Sequence, residues 1–277
     1  MDDLSLKTLL RPRRPDTHKG DYGNLLLICG SQEMPGAAAL SAKAALRSGV
    51  GLCTICCEPA LSYILSPAVP EAVFLFPDSQ AALTAAVQAA GAILIGCGLG
   101  KGERAKNWLY TVLEEAQCPV VVDADGLNML CGRIDCIKTT SSVILTPHIG
   151  EMSRLTGLSP TAIKAQRKRV AQQFAVAHHV TVVLKDHITV VAAPDGRLFQ
   201  NDSLGNPGMA KAGSGDTLSG ILSALCAEGL SPFEAAAAGI QLHAIAGDMA
   251  AARFSQTSML PTDMADCLCG VFAELGL

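Results

Sequence analysis

The feature that most constrains this 277-residue chain is a series of short, continuously apolar runs separated by Ala-rich stretches. Runs such as 25–28, 93–95, 120–122 and 143–145 are apolar at every position. A strand with one face in solvent alternates polar and apolar residues, whereas a strand covered on both faces does not. The pattern therefore predicts a parallel sheet buried between two layers of helices. Strands are expected at 24–29, 51–56, 72–76, 92–95, 119–123, 143–146, 181–184, 188–192 and 198–200. Helices are expected at 37–48, 81–90, 103–116, 160–177, 216–228 and 232–253, with a short one from Thr262. Ser159 before Pro160 reads as a helix start, and Gly49 as a helix stop. The βα alternation predicts a doubly wound α/β sheet. Near the end two strands follow in succession, and a Pro-Asp-Gly turn leads to a third, so a late antiparallel edge is expected.

Composition bounds the rest. Hydrophobic residues make up 49% of the chain and charged residues 17%, enough apolar mass for a large core. No linker, repeat or low-complexity block interrupts the sequence, so one domain over 1–277 is expected, with 1–17 as an N-terminal tail. The net charge is −4 without a long basic run, which argues against nucleic-acid binding. The longest apolar stretch is broken by His243 and Asp248, so no membrane span is expected. The acidic N-terminus lacks the apolar segment of a secretory signal. Eleven cysteines, an odd number lying mostly in apolar runs, suit a reducing, cytoplasmic setting. Cys53, Cys56 and Cys57 have the spacing of a redox or metal motif. They lie inside an apolar strand with no second pair at zinc spacing, so core packing is expected.

Residues with chemistry gather where the apolar runs end. In NPGMAKAGSGDTLSG, Gly213, Ser214 and Gly215 lead directly into a long apolar helix. Small residues let the backbone turn sharply with its N–H groups facing outward, and the helix dipole adds partial positive charge. The result is an anion site, suited to phosphate or a developing oxyanion. Asp216 follows in the first turn. A carboxylate there repels phosphate, so its presence points to a proton acceptor for a hydroxyl attacking phosphorus. The plainer alternative is a glycine loop with Asp216 as a cap.

Four further segments are more ambiguous. LTPHIGEM puts His148 at the carboxyl end of a strand, where open α/β sheets bind ligands, although a helix-capping histidine is the plainer reading. The loop 96–102, GCGLGKG, departs from a dinucleotide fingerprint because the third glycine would fall at Lys101. It still permits close backbone approach to a ligand. Asp123 and Asp125 in VVDADGLN suit a cation or a ribose hydroxyl, or else a cap beside a solvated acid. LKDHIT reads as a hairpin turn from which Lys185 and Thr189 can reach a phosphate, with a solvated turn as the default. There is no P-loop signature and no serine-hydrolase elbow.

Taken in order, HKGDYGNLLLICGS, PGAAALSAKAALRSGVGL, GCGLG, VVDADGLN, LTPHIGEM, LKDHIT, NPGMAKAGSGDTLSG and PTDM run from about His18 to Asp266. Together they resemble the ADP- or ATP-dependent NAD(P)H-hydrate dehydratases, a branch of the ribokinase-like superfamily. The resemblance implies a ribokinase-like fold and a repair reaction. The hydroxyl of hydrated NADH or NADPH, in its S form, is phosphorylated, and loss of phosphate restores the ring double bond. It implies Asp216 as the catalytic base, in contact with substrate, and Ala37, Gly100 and His148 as hydrate-binding positions. Lys185, Asp186, His187, Ile188, Thr189 and Gly215 are the implied nucleotide site, with Gly213 and Ser214 beside it. ADP, usual in bacterial members, or ATP is the implied co-substrate together with Mg²⁺, and no residue is assigned as a metal ligand. A homotetramer is implied. The epimerase domain often fused ahead of this one is not seen before His18, so a separate NAD(P)H-hydrate epimerase is expected. The sequence departs from the family pattern at Asp186, Lys211, Ala212 and Ser214, where Gly, Thr or Ser, Gly and Thr are frequent. These departures bear on nucleotide preference. Rival readings are a hydroxyethylthiazole or hydroxymethylpyrimidine kinase of the same fold, a non-catalytic nucleotide sensor, and a cysteine-based metal or redox module.

Overall fold

The computed structural model describes residues 4–138 and 142–277. Among them a nine-stranded sheet is formed by β1 Asn24–Ile28, β2 Leu52–Cys56, β3 Val73–Leu75, β4 Ala92–Ile95, β5 Val120–Val122, β6 Val143–Leu145, β7 Thr181–Leu184, β8 Thr189–Ala192 and β9 Leu198–Asn201. Their spatial order is β3-β2-β1-β4-β5-β6-β7-β8-β9. Pairings from β3 through β7 are parallel, and β8 and β9 extend the sheet antiparallel. This is the mostly parallel sheet with a late antiparallel edge expected from the sequence. The chain reverses its direction of winding between β1 and β4, which opens a crevice at their carboxyl ends.

Twelve helices accompany the strands among the described residues: α1 Leu6–Leu9, α2 Pro35–Arg47, α3 Pro59–Ala68, α4 Gln80–Ala89, α5 Glu103–Glu115, α6 Asp125–Leu130, α7 Ile149–Thr156, α8 Pro160–Ala165, α9 Arg167–His178, α10 Ser214–Ala227, α11 Pro232–Ser258 and α12 Pro261–Leu275. The continuous apolar character of β1 has a simple cause. Leu25 and Leu27 enter the core layer beneath α2, α10, α11 and α12, while Leu26 and Ile28 enter the opposite layer beneath α4, α5, α7 and α9. All four are buried, and each contributes about 1.5–3 kcal/mol relative to exposure.

Local signals set the helix ends. Ser159 accepts from the Ala162 N–H, as the Ser-Pro start suggested. Ser231 and Glu234 close a capping box ahead of α11. Gly49 follows the Ser48 cap of α2 with φ 108°, a backbone state that a side chain would strain. The helix expected over 160–177 is two helices, because Gln166 leaves the helical region at φ −130°, ψ 35°. The helix expected as short from Thr262 runs for 15 residues. Helices α3 and α6 were not anticipated. Within 1–17, α1 buries Leu6, and Leu10 follows it into the core.

Cys53, Cys56 and Cys57 are buried, and burial pushes their thiols up to about 12, 12 and 11. That is core packing, as expected, and all eleven cysteines are free. Among the described residues, no helix is long and apolar enough to cross a membrane.

The contact that matters most for the site is between α2 and α10. A Cβ on Gly220 would lie 2.2 Å from the Ser41 carbonyl oxygen, so glycine permits this close approach. The Ser41 hydroxyl donates to the backbone carbonyl of Asp216 at 3.1 Å, fixing the first turn of α10 against α2.

Candidate active site

A cleft of about 1140 Å³ opens beside the carboxyl ends of β5, β6 and β7, roofed by the segment 201–216. Each strand delivers one functional side chain as it ends: Asp123 after β5, His148 after β6 and Lys185 after β7. From the far side α10 presents its N-terminus. Gly213 caps it at φ 96°, and a Cβ there would meet Leu40 at 2.5 Å, so the turn needs glycine twice over. A Cβ on Gly215 would stand 3.2 Å from the Lys185 Nζ and 3.7 Å from Asp123 Oδ2. The glycine loop therefore lies directly over the charged floor, with amide donors and an ammonium facing the same space.

Asp123 is the hub of that floor. Its buried carboxylate accepts from Lys185 Nζ at 2.7 Å, from Ser219 Oγ at 2.7 Å and from the Ala124 N–H at 2.8 Å. Burial alone would raise its pKa, but the Lys185 charge and the hydrogen bonds outweigh burial and hold it below the usual carboxylate range. For Lys185, burial favours the neutral amine, and the charges of Asp123 and Glu151 outweigh it, so the ammonium persists. Asp216 differs. Burial raises its pKa, and the neighbouring Asp123 charge raises it further. A carboxylate so placed is a stronger base than a solvated one, which suits it to take a proton from a hydroxyl.

His148 is the helix cap of its plainer sequence reading, and it also lines the cleft. Its Nδ1 caps α7, accepting from the N–H groups of Gly150 at 2.9 Å and Glu151 at 3.3 Å. The Glu151 carboxylate in turn accepts from the His148 backbone N–H at 2.8 Å. Burial, Lys185 and Arg154 lower the His148 pKa, so the ring is neutral near pH 7 with its proton on Nε2, at the cleft wall. In the 185–189 hairpin, Lys185, Asp186, His187 and Thr189 line the cleft. Ile188 is not among its lining residues. The Thr189 hydroxyl donates to the Asp186 carbonyl at 3.1 Å, and the Asp186 carboxylate faces Arg167 at 3.6 Å and His187 at 3.3 Å. The unusual acid at 186 thus faces the Arg167 guanidinium rather than being aimed alone at phosphate. Lys211 is at the cleft wall, but its ammonium is taken up by the carbonyls of Thr257 at 2.8 Å and Met259 at 2.6 Å.

Ala37 and Gly100 lie outside this cleft, at the β1–β4 crevice. The Gly100 N–H donates to Asp125 Oδ2 at 2.9 Å, and a Cβ on Gly98 would meet Ala37 at 2.7 Å. Asp216 joins the two regions. Its carboxylate lies with Asp123 and the Cys97 thiol in a group whose polar atoms are all within 4.8 Å of one another, and Cys97 belongs to the crevice loop. Neither Asp123 nor Asp125 is the solvated acid of the plainer sequence reading: one anchors Lys185 and the other the Gly100 loop.

Two residues at or behind the cleft carried no usable sequence signal. His243, inside a long apolar helix, faces Ser214 Oγ at 3.4 Å, and burial pushes its pKa down to about 4. Asp248 accepts from the Gly205 N–H and from Asn206 Nδ2, each at 2.9 Å, tying the roof segment to α11. Asp248 had served only as a break in an apolar run. Its partner segment begins the motif NPGMAKAGSGD, which gave the one available hint.

Comparison with known proteins shows the family to which the chain belongs. A family model described as NAD(P)H-hydrate dehydratase matches residues 25–269. The bifunctional NAD(P)H-hydrate repair enzyme of Escherichia coli is 41% identical over 92% of this chain and 48% of its own length. The chain thus spans about half the length of the bifunctional relatives it matches. The ADP-dependent (S)-NAD(P)H-hydrate dehydratase of Neisseria meningitidis is 38% identical over 89% of this chain and 83% of its own. A crystal structure of the Bacillus subtilis ADP/ATP-dependent NAD(P)H-hydrate dehydratase, co-crystallised with ATP/Mg²⁺, superposes with a TM-score of 0.87 at 34% identity. It covers 98% of this chain and 96% of that one.

Proposed function

The chain belongs to the NAD(P)H-hydrate dehydratase family, and we propose that it uses ADP or ATP to dehydrate the S form of hydrated NADH or NADPH. The observation that carries this reading is the place of Asp216. It sits at the amide-rich start of α10, between the cleft of Lys185 and the crevice of Ala37 and Gly100. The nucleotide phosphates lie on the N–H groups of Gly213, Ser214 and Gly215 and against Lys185, with the 185–189 hairpin along the nucleoside. The hydrate enters over Ala37 and Gly100, with His148 Nε2 as a donor to it.

Asp216 then takes the proton of the ring hydroxyl as its oxygen attacks the terminal phosphorus. The anhydride bond breaks, and ADP leaves from ATP, or AMP from ADP. The ring nitrogen's electron pair assists departure of the new phosphate ester as inorganic phosphate, and the double bond returns once a ring proton is lost. Lys185 and the loop amides hold the transferring group, as fixed dipoles that need no rearrangement.

Mg²⁺ takes oxygen ligands and keeps several waters, with one or two carboxylates and the phosphates completing its shell. The group of Cys97, Asp123 and Asp216 does not suit it, because one donor is sulfur and the Asp123 oxygens are engaged by Lys185 and Ser219. The Glu151 carboxylate suits it better. Glu151 Oε1 faces the His148 ring at 3.5 Å, and Glu151 lines the cleft. Bound there with the phosphates, the ion would neutralise charge on the transferring group.

The proposal extends to a cytoplasmic homotetramer, supplied with the S form by an NAD(P)H-hydrate epimerase. Exposed apolar side chains at one end of the sheet, Tyr63, Ile64, Val73 and Phe76, are a surface such an assembly can cover.

The test is direct. Hydrated NADH, Mg²⁺ and either nucleotide should give back the absorbance of reduced nicotinamide together with free phosphate. Asp216→Asn should lower turnover by roughly 10²–10⁴ while keeping nucleotide affinity. Wild-type turnover by that variant would refute the base assignment, and a stable phosphorylated product would mark a kinase instead.

A further inference from the structure

The reaction assigned above uses Asp216 but leaves unexplained the wholly buried thiol beside it. Cys97 sits between two glycines that the fold has locked. Gly96 has φ 117°, and a Cβ on it would be 2.2 Å from the Asp123 carbonyl oxygen; Gly98 has φ 60° and meets Ala37. The Cys97 carbonyl accepts the Gly30 N–H at 2.8 Å, tying the loop to the end of β1. The thiol therefore has a fixed address. Its Sγ is 3.9 Å from Asp123 Oδ2, within the tight group that includes an Asp216 oxygen.

We propose that Cys97 is a positioning residue for the base. Its single S–H is donated to Asp216 while that carboxylate is ionised, and turns to Asp123 once Asp216 has taken the substrate's proton. This rests on Asp216 being the base. Asp123 already holds Lys185, Ser219 and the Ala124 amide, so the thiol contributes least there. In the structure the thiol lies in donor range of Asp123 Oδ2 at 3.9 Å, and an Asp216 carboxylate oxygen is within 4.8 Å of the same Sγ, so one S–H stands between the two acids. A thiol is a weak donor, so it orients the carboxylate without quenching its basicity as a hydroxyl would. Contact with Cys29, burial, and the charges of Asp123 and Asp216 all push the Cys97 thiol up, so it remains S–H rather than thiolate. No bond other than the hydrogen bond is exchanged.

The other groups around Asp216 are Asp123 and Asp125 from the β5 end, Lys185 from the β7 end, and His243 on α11 behind Ser214. From α2 the Ser41 hydroxyl reaches only the Asp216 backbone. All of these stay constant in Cys97 variants, which makes the comparison clean.

The experiment compares full-length wild type with Cys97→Ser, a near-isosteric stronger donor, and Cys97→Ala, which removes the donor. Asp216 is titrated by carboxyl NMR, its resonance assigned by loss in Asp216→Asn, and the acidic limb of kcat is measured alongside. The midpoint should fall in Cys97→Ser and rise in Cys97→Ala, each on the order of half a unit, and the limb should follow. Nucleotide KM should stay within about twofold. In infrared spectra, the S–H stretching band should move as Asp216 titrates. Should Cys97→Ala fail to fold, Cys97→Ser and the band still decide. Coincident midpoints, or shifts of the same sign in both variants as a packing defect would give, overturn the proposal. The expected NMR order without a matching limb overturns Asp216 as the base instead, and the positioning role falls with it.

Discussion

Replacing Asp123 by asparagine should show how much of the stability rests on its charge. The amide keeps the shape but loses the charge, and its NH₂ group must face either the Lys185 ammonium or the Ser219 hydroxyl. Breaking one side of a buried ion pair costs about 3–5 kcal/mol, because the partner is left buried and charged. Lys185 borders a cleft and its side chain is 19% exposed, so solvent relieves part of the penalty and the lower end, about 3 kcal/mol, applies. Unfolding entropy near 2.1 cal/mol/K per residue over 277 residues gives about 0.6 kcal/mol/K, so Tm should fall by about 5 °C. The double variant Asp123→Asn/Lys185→Met removes both charges and should recover most of that loss. The pH dependence has a defined sign. Asp123 titrates below its ordinary 3.8 in the fold, so its stabilisation is present above that pH and is lost as pH falls through the folded value. The gap between wild type and Asp123→Asn should therefore narrow below about pH 4. Thermal and urea unfolding of the four proteins of the cycle measure this. A coupling under about 0.5 kcal/mol, or a double variant no more stable than Asp123→Asn, would refute the role given to the pair.

Other outcomes follow from single contacts. Glu228 is half-buried with one carboxylate oxygen unpartnered, and burial raises its pKa to about 7. The folded state thus binds the proton more tightly than the unfolded one, and stability falls as pH rises from about 4.5 through 7. Glu228→Gln should accordingly raise Tm at pH 8 and leave it unchanged at pH 4, as calorimetry would show. Gly220→Ala drives a methyl into the Ser41 carbonyl, so Tm should drop by an amount corresponding to at least about 2 kcal/mol. Because that contact sets the first turn of α10, kcat should fall as well. Lys211→Met frees the glycine loop from the carbonyls of Thr257 and Met259, and should raise nucleotide KM more than it lowers kcat in steady-state assays.

The sheet was legible because burial on two faces writes itself into β1, β4, β5 and β6 as unbroken apolar runs. Breaks inside helices were less so: nothing in the residues around Gln166 announces that the backbone leaves the helical region there. Helix α3 carries Pro67 within it, which reads as a stop. At the site, the glycine loop and Asp216 were visible because a turn, an anion site and an acid in sequence have few other uses. Asp123 was ambiguous for a physical reason. Whether an acid at a strand end is solvated or buried depends on what comes across from elsewhere, here Lys185 from β7 and Ser219 from α10. His243 was read only as a break in an apolar stretch, and Cys97 as a small apolar residue within one. They do lie in such runs, and only packing reveals that one faces Ser214 and the other two carboxylates.

If Asp216 is the base of the proposed reaction, its raised pKa bears on how one group serves both halves. In the first half the group must accept a proton from an alcohol. In the second, phosphate leaves, and a proton donor near the breaking bond helps it go. A carboxylate with an ordinary pKa accepts poorly and discards its proton to water before the second half. A carboxyl lifted by burial and by the Asp123 charge keeps the proton long enough to return it to the departing oxygen. A kinase on the same fold needs only the first half. The proton-keeping environment is therefore what the dehydratase reading requires of this site beyond the anion loop. Phosphate release and recovery of reduced nicotinamide should accordingly rise together from the first turnover. A lag in the absorbance behind nucleotide consumption would mean that elimination occurs away from Asp216, in solution.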